Sequence, residues 1–221
     1  MSASTELRLW ISVRELPRGV ARFYLRARRQ ARRSGERFSL DSAARPQELA
    51  ELLSLAAGRR AVVELGTGTA WSTIALALAD PARRVISYDP ELRPEREAYL
   101  DLAGAAVRER IELRGEPDTA GPHAGDPPVE FLFIDSLHER EPAAAAFRAW
   151  QGALAAGAVV VFHDYGHPAY PGVAQAAGSS SGGPPRARAP GRSSTREPTG
   201  ACPRPGGPGA RPCRIWGLRW R

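Results

Sequence analysis

One stretch of this sequence constrains the fold more than any other, because an apolar run there enters a glycine-containing turn and then an Ala/Leu-rich segment. It reads Val62-Val63-Glu64-Leu65-Gly66-Thr67-Gly68-Thr69-Ala70-Trp71-Ser72. Glycines at such a turn let the backbone approach a ligand closely, and a following helix presents unpaired N–H groups and the positive end of its dipole. The stretch therefore predicts a strand–turn–helix unit that opens a ligand-binding domain.

Short apolar, β-branched runs then alternate with Ala/Leu/Arg-rich stretches, which is typical of a parallel sheet covered on both faces. Strands are predicted at residues 61–65, 84–88, 111–113, 129–134 and 158–162. Helices are predicted at residues 46–57, 72–79, 93–107 and 140–155. Because crossovers between parallel strands are right-handed, the predicted fold class is α/β, a doubly wound and mostly parallel sheet with ligands at the carboxyl ends of its strands.

The two ends of the chain differ in composition from this central part. Residues 13–33 combine apolar positions at helical spacing with eight arginines, and they predict a basic amphipathic helix within an N-terminal flank, residues 1–45. We interpret this helix as packed on the domain of residues 46–177 with its arginines solvated, the alternative being a surface for membranes or RNA. Residues 178–221 are rich in Gly, Pro, Arg and Ser and are predicted to be disordered, because they contain too few apolar residues to offset the entropy of ordering.

The net charge of +7 lies almost wholly in this tail, which contains nine arginines and one acid. The rest of the chain is nearly neutral, so the total charge does not by itself indicate a nucleic-acid partner. Both cysteines, Cys202 and Cys213, also fall in the tail, so we expect neither a disulfide framework nor a zinc motif with paired cysteines to support the fold. With no long apolar run and no secretory leader, we expect a cytoplasmic protein.

Acidic residues near the glycine turn favour a cofactor of the nucleoside type. Glu64 precedes the first glycine by two residues, and Asp89 follows the next strand, about twenty residues downstream, where an acid meets ribose hydroxyls in doubly wound folds. A nicotinamide dinucleotide site would need a small residue where Trp71 stands, so a cofactor without a pyrophosphate is favoured. The alternative is an ordinary tight turn in which Asp89 caps a helix.

Acids and imidazoles follow two further predicted strands. Asp135 and His138 follow residues 129–134, and His163 and Asp164 follow residues 158–162. Because neighbouring parallel strands lie about 5 Å apart, we expect the two acids to reach one ion or one substrate hydroxyl. The alternative is that the two imidazoles only cap neighbouring backbone groups.

The Glu-Leu-Gly-Thr-Gly segment resembles motif I of class I S-adenosylmethionine (SAM)-dependent methyltransferases, and Trp71-Ser72 is similar to the aromatic-Ser pair of small-molecule O-methyltransferases. The Asp-x-x-His and His-Asp-Tyr motifs at residues 135–138 and 163–165 resemble those of the methyltransferase domain 24 group. This resemblance covers residues 38–177 and implies a Rossmann-like methyltransferase sheet with SAM as the cofactor. The cofactor-binding residues that it implies are Glu64, Gly66, Thr67, Gly68, Ser72, Asp89, Glu116 and Asp135.

Individual roles follow from the same resemblance. Gly66 and Gly68 would lie against the methionyl part of SAM, Ser72 would reach its carboxylate, Asp89 would bind the ribose hydroxyls and Glu116 would lie near the adenine. In related metal-dependent enzymes, the acids that match Asp135 and Asp164 bind a divalent cation such as Mg²⁺. This sequence departs from that pattern at Tyr165, where those enzymes usually carry Asn, and the departure puts metal dependence in doubt.

The implied activity is methyl transfer to a small-molecule acceptor, expected to be a hydroxyl, with His138, His163 and Asp164 as catalytic residues and His163 as the first choice of base. A nucleic-acid methyltransferase is a less favoured alternative, because no base-flipping motif of the Asn-Pro-Pro-Tyr type follows the fourth strand. A truncated, SAM-binding remnant is the other alternative. Class I enzymes continue past strand five with a helix and two strands, whereas the tail here resembles an out-of-frame translation of GC-rich DNA, so we expect the last two strands to be missing.

Overall fold

The computed structural model describes residues 13–180, 200–201 and 213–217. Its strands are β1 (Ala61–Leu65), β2 (Arg84–Tyr88), β3 (Ile111–Arg114), β4 (Val129–Ile134), β5 (Leu154–Phe162), β6 (Gly200–Ala201) and β7 (Arg214–Gly217). Its helices are α1 (Arg18–Ser34), α2 (Phe38–Ser42), α3 (Pro46–Leu55), α4 (Trp71–Ala79), α5 (Glu95–Ala103), α6 (Ala105–Arg108), α7 (Arg140–Trp150) and α8 (Pro171–Ser180). This alternation confirms the predicted α/β, Rossmann-like fold class.

The chain divides into two compact units, which we call the first unit (Met1–Arg60 and Thr67–Gly115) and the second unit (Ala61–Gly66 and Glu116–Arg221). In the first unit, β2 and β3 pair in parallel. In the second unit the strand order is β1-β4-β5-β7-β6, parallel except for the pair β6–β7. Strands β1, β4 and the carboxyl half of β5 are buried on both faces, as expected for parallel strands that are covered on both sides.

The predicted element bounds agree closely with these, and the differences have local causes. The single helix predicted over residues 93–107 is divided at Gly104, whose φ of +91° ends α5 before α6 begins. The helix predicted to reach residue 155 ends at Trp150, because a short 3₁₀ turn at Gln151–Ala153 leads directly into β5. That strand consequently begins at Leu154, earlier than predicted.

The sheet continues beyond β5, where the sequence predicts an open edge. Strand β7 lies parallel to β5 with Ile215 opposite Val160, and β6 pairs with β7. The alternation within the segment explains this, since Cys213 and Ile215 are buried while Arg214 between them is exposed. Cys213 is also disulfide-bonded, whereas its position in the tail predicts no disulfide that supports the fold. The disorder predicted for the rest of the tail concerns residues outside those that the structure describes.

A cluster of aromatic rings around Trp71 forms the centre of the first unit. The Trp71 ring makes edge contacts with Tyr99 at 5.3 Å, Tyr24 at 5.5 Å and Phe23 at 6.4 Å between ring centroids. The apolar face of α1 is thereby buried in this unit. The opposite face of α1 carries a row of exposed arginines, namely Arg18, Arg22, Arg26, Arg29 and Arg33.

Aliphatic and aromatic residues of β4 and β5 form the core of the second unit. Phe131, Leu132 and Val160 are fully buried. Helix α7 packs against this core, with the ring centroids of Phe147 and Phe162 6.2 Å apart. Within the described residues, no helix combines the length and apolarity needed to cross a membrane.

Truncation of the central ring in the first unit should strongly destabilise the protein. We expect Trp71→Ala to lower the free energy of unfolding by about 3–5 kcal/mol, because it removes a buried ring and leaves a cavity among three others. Leu92→Ala is the control, since Leu92 is 80% exposed and should change stability by less than about 0.5 kcal/mol. Denaturant unfolding of both variants tests this, and equal losses would contradict it.

Candidate functional site

In the first unit, Asp89 pairs with the glycine turn. Asp89 follows β2, and its Oδ2 accepts a hydrogen bond from the backbone N–H of Gly68 at 2.9 Å. Its Oδ1 accepts one from the backbone N–H of Glu91 at 2.8 Å. The Asp89 side chain therefore faces the turn, which is the orientation that a cofactor site at this place requires.

Arg96 completes this arrangement and was not identified from the sequence. Its Nη2 donates to Oδ2 of Asp89 at 2.7 Å, and its Nε donates to the carbonyl oxygen of Gly68 at 2.7 Å. Arg96 lies in the first turn of α5, seven residues after Asp89, and no local pattern marks it. Only the fold reveals that one guanidinium bridges both the acid and the turn.

Hydroxyl pairs fix the rest of the turn in the first unit. Thr67 Oγ1 lies 2.7 Å from Ser87 Oγ on β2, and Thr69 Oγ1 lies 2.6 Å from Ser39 Oγ on α2. Both pairs are buried, so the hydrogen bonds are shielded from competition with water. Thr67 was predicted as a cofactor contact, and in this structure its side chain is buried and hydrogen-bonded to Ser87.

An aromatic residue borders the same turn. The Phe38 ring lies 3.5 Å from the position that a Cβ on Gly68 would take, and it is 39% exposed. The Arg93 guanidinium stacks over this ring at 3.5 Å from its centroid. Ser72, predicted to reach the cofactor carboxylate, is partly buried in the first turn of α4. The turn thus has an accessible rim with an aromatic and a cationic side chain.

Position 66, in the second unit, requires a glycine because the backbone at the end of β4 approaches it closely. It has a φ of +97°, and a Cβ added there would collide with the backbone carbonyl of Asp135. The backbone N–H of Asp135 donates to the Leu65 carbonyl at 2.8 Å, which continues the β1–β4 pairing to this point. Glu64 on β1 is fully buried. Glu116, predicted near the adenine, is partly exposed and lies 3.0 Å from Nε2 of His123.

Asp135, His138, His163 and Asp164 converge in the second unit, as the sequence predicts. One ligand atom from each side chain lies within 4.8 Å of the others. Nε2 of His138 lies 2.9 Å from Oδ2 of Asp164, and Nδ1 of His163 lies 2.9 Å from Oδ1 of Asp135 and 3.5 Å from Oδ2 of Asp164. Each imidazole is thus oriented by a carboxylate of the cluster.

Asp164 differs from the other members of this cluster in its backbone conformation and in its strongly lowered pKa. Its φ of +53° is in the left-handed region, which Asp adopts more readily than most residues but still at a cost. Burial alone would raise the pKa of Asp164, but hydrogen bonds and charge from His138 and His163 outweigh it and hold that pKa well below the ordinary value of a carboxyl. Asp164 is therefore a fixed negative charge.

The two imidazoles differ in accessibility. The His163 side chain is 7% exposed, whereas that of His138 is 32% exposed. The His138 ring stacks on Tyr170 at 4.4 Å between centroids, and Tyr170 also stacks on His167 at 4.9 Å. Tyr170 was not identified from the sequence, because its contact with His138 depends on how the segment after β5 folds back.

Comparison with known proteins shows that this chain is similar in fold to methyltransferases. Residues 63–165 match the family described as Methyltransferase domain. The O-methyltransferase TomG from Streptomyces achromogenes, involved in tomaymycin synthesis and solved in complex with SAM, is 21% identical, with a TM-score of 0.53 over 72% of this chain and 74% of that one. A Klebsiella pneumoniae protein assigned as an O-methyltransferase is 19% identical, with a TM-score of 0.52 over 74% of this chain and 78% of that one. No curated protein matches this sequence.

Substitution of Gly66 should be far more damaging than substitution of another glycine with the same backbone conformation. We expect Gly66→Ala to lower the free energy of unfolding by about 3 kcal/mol or more, because backbone strain and a collision with Asp135 add. The control is Gly125→Ala, whose φ is +92° but whose Cβ would meet open space, so only about 1–2 kcal/mol should be lost. Thermal and denaturant unfolding of both variants measures the difference, and similar losses would argue against the collision.

Proposed function

We propose that this chain, whose residues 63–165 match the family described as Methyltransferase domain, binds SAM at the Gly68 turn and methylates a hydroxyl of a small-molecule acceptor. The observation that supports this most is the Asp89 carboxylate facing the backbone of Gly68. A carboxylate beside a glycine turn offers hydrogen-bond acceptors to sugar hydroxyls while the turn leaves room for the cofactor. The SAM complex of TomG, a protein of similar fold, is consistent with this choice of cofactor.

Bound SAM supplies an electrophilic methyl group on its sulfonium sulfur. The protein then has to orient the acceptor oxygen for in-line attack and take the proton that the oxygen loses. The cluster of two carboxylates and two imidazoles in the second unit suits this proton transfer. Asp164, held as a fixed negative charge, orients the His138 ring and would stabilise it once protonated.

The assignment of the base differs between sequence and structure. The sequence favours His163, but His163 is almost fully buried and paired with Asp135, whereas His138 is the more exposed ring. We therefore propose that His138 takes the acceptor proton and that His163 holds Asp135 in place. The exposed side chain of Leu137 and the ring of Tyr170, which stacks on His138, offer apolar contacts that suit a small organic acceptor.

A divalent cation is compatible with the same four side chains. Donor atoms at about 2.1 Å from one ion lie at most about 4.2 Å apart, so the atoms observed within 4.8 Å of one another would have to approach by only about 0.6 Å to bind it. No hydrogen-bond donor among the described residues reaches the buried Oδ1 of Asp164, which leaves it available as a ligand. Two carboxylates with two imidazoles suit Mn²⁺, Fe²⁺ or Zn²⁺ better than Mg²⁺. Such an ion would lower the pKa of an acceptor hydroxyl.

Cofactor binding and turnover should separate in variants of the cluster. Isothermal titration of wild-type protein with SAM should show one site per chain, and incubation with a panel of small phenols and alcohols should release S-adenosylhomocysteine. The double substitution His163→Ala/Asp164→Ala and the single substitution His138→Ala should each lower turnover at least about 100-fold while SAM affinity changes less than about threefold.

His167→Ala, outside the cluster, is the control. Wild-type turnover in the double variant would refute the catalytic assignment, and binding without turnover in wild type would indicate a remnant.

Metal binding has a test that does not depend on activity. Titration with Mn²⁺ followed by electron paramagnetic resonance should show one ion per chain in wild-type protein and at least about tenfold weaker binding in Asp164→Asn. Glu97→Gln, an exposed residue paired with Arg108, should bind Mn²⁺ as wild type does. Equal affinity in all three proteins would show that the cluster is not a metal site.

A further inference from the structure

We infer that Arg96 determines how the cofactor's sugar is recognised, by holding Asp89 so that only its Oδ1 atom can accept a hydrogen bond from a ligand. This inference rests on the proposed binding of SAM. It assigns a role to a residue that does not belong to the glycine turn or to the strand ends. It also predicts an unusual recognition pattern, in which one sugar hydroxyl matters much more than the other.

The acceptor capacity of Asp89 is largely used within the protein. A carboxylate offers about four acceptor positions, two on each oxygen. Oδ2 already accepts from the Gly68 N–H and from Arg96 Nη2, and Oδ1 accepts from the Glu91 N–H. One position therefore remains, and it is on Oδ1.

Burial makes this arrangement hard to displace. Arg96 is 6% exposed, and the side chain of Asp89 is 14% exposed. Charge-assisted hydrogen bonds at such sites are stronger than those on the surface, and their rupture would leave a buried charge unpaired. The second bond, from Arg96 Nε to the Gly68 carbonyl, holds the guanidinium plane at the turn. Arg96 is thus a positioning residue, and a bound ligand would not displace its guanidinium from Asp89.

The consequence concerns the two hydroxyls of the ribose. A carboxylate with both oxygens accessible accepts from both hydroxyls of a vicinal diol. Asp89, with only Oδ1 available, accepts from one. Loss of that hydroxyl removes a hydrogen bond to a charged group, worth about 10-fold or more in affinity, whereas loss of the other hydroxyl should cost little.

The test compares S-adenosylhomocysteine with its 2′-deoxy and 3′-deoxy analogues by isothermal titration. In wild-type protein, one analogue should bind at least about tenfold more weakly than the parent and the other within about threefold. Arg96→Gln should weaken binding of the parent about tenfold and bring the two analogues within about threefold of each other, because the position on Oδ2 that Arg96 occupied can then accept from the second hydroxyl. Arg108→Gln is the matched control, since Arg108 makes an exposed ion pair with Glu97 and should leave all three affinities unchanged.

Arg96→Lys is a second variant that keeps the test valid if Arg96→Gln does not fold. Lysine keeps the charge but lacks the planar fork that reaches both Asp89 and Gly68, so a folded Arg96→Lys protein should show reduced discrimination between the analogues. Equal losses from either deoxy analogue in wild type, or undiminished discrimination in the folded Arg96 variants, would overturn the inference and leave SAM binding standing. Absence of any S-adenosylhomocysteine binding by both wild type and Arg108→Gln would overturn the proposed function as well.

Discussion

The hydrogen bond between the backbone of Gly68 and the carboxylate of Asp89 is the interaction on which the proposed cofactor site depends. It fixes the turn relative to the end of β2, and it does so with a charged acceptor that is mostly shielded from water. Arg96 makes this arrangement stable by compensating the charge of Asp89. The same arrangement limits what Asp89 has left to offer to a ligand, so stability and recognition are coupled at one side chain.

In the second unit, two carboxylates are held close together. Asp135 and Asp164 follow strands that pair directly, and like charges at such a separation repel each other. A ring nitrogen of His138 lies 2.9 Å from Asp164 and one of His163 lies 2.9 Å from Asp135, and the two imidazoles lower the pKa of Asp164. The left-handed backbone of Asp164 is the local cost of this arrangement. A cluster built in this way suits both proton transfer and a divalent cation.

Strand β7 changes the interpretation of the C-terminal tail. The sequence predicts a sheet that ends at β5, because the tail has the composition of a segment that does not fold. A short alternating segment is nevertheless sufficient to cover the β5 edge, with Ile215 buried against it. Gly217 at its end packs against the Tyr165 ring, one residue beyond Asp164. An unprotected apolar edge would favour aggregation, so even a four-residue strand matters there.

The sequence by itself determined strands β1 to β5, the glycine turn and the placement of acids and imidazoles after β4 and β5. These features are local, since periodicity, turn chemistry and the position of a residue after a strand can be identified in a short window. Only the tertiary structure decided that Arg96 bridges Asp89 and Gly68, that Tyr170 stacks on His138, and that His138 is more accessible than His163. Each of these depends on the direction in which a side chain leaves a folded element. That direction is set by packing between segments distant in sequence, which no local pattern encodes.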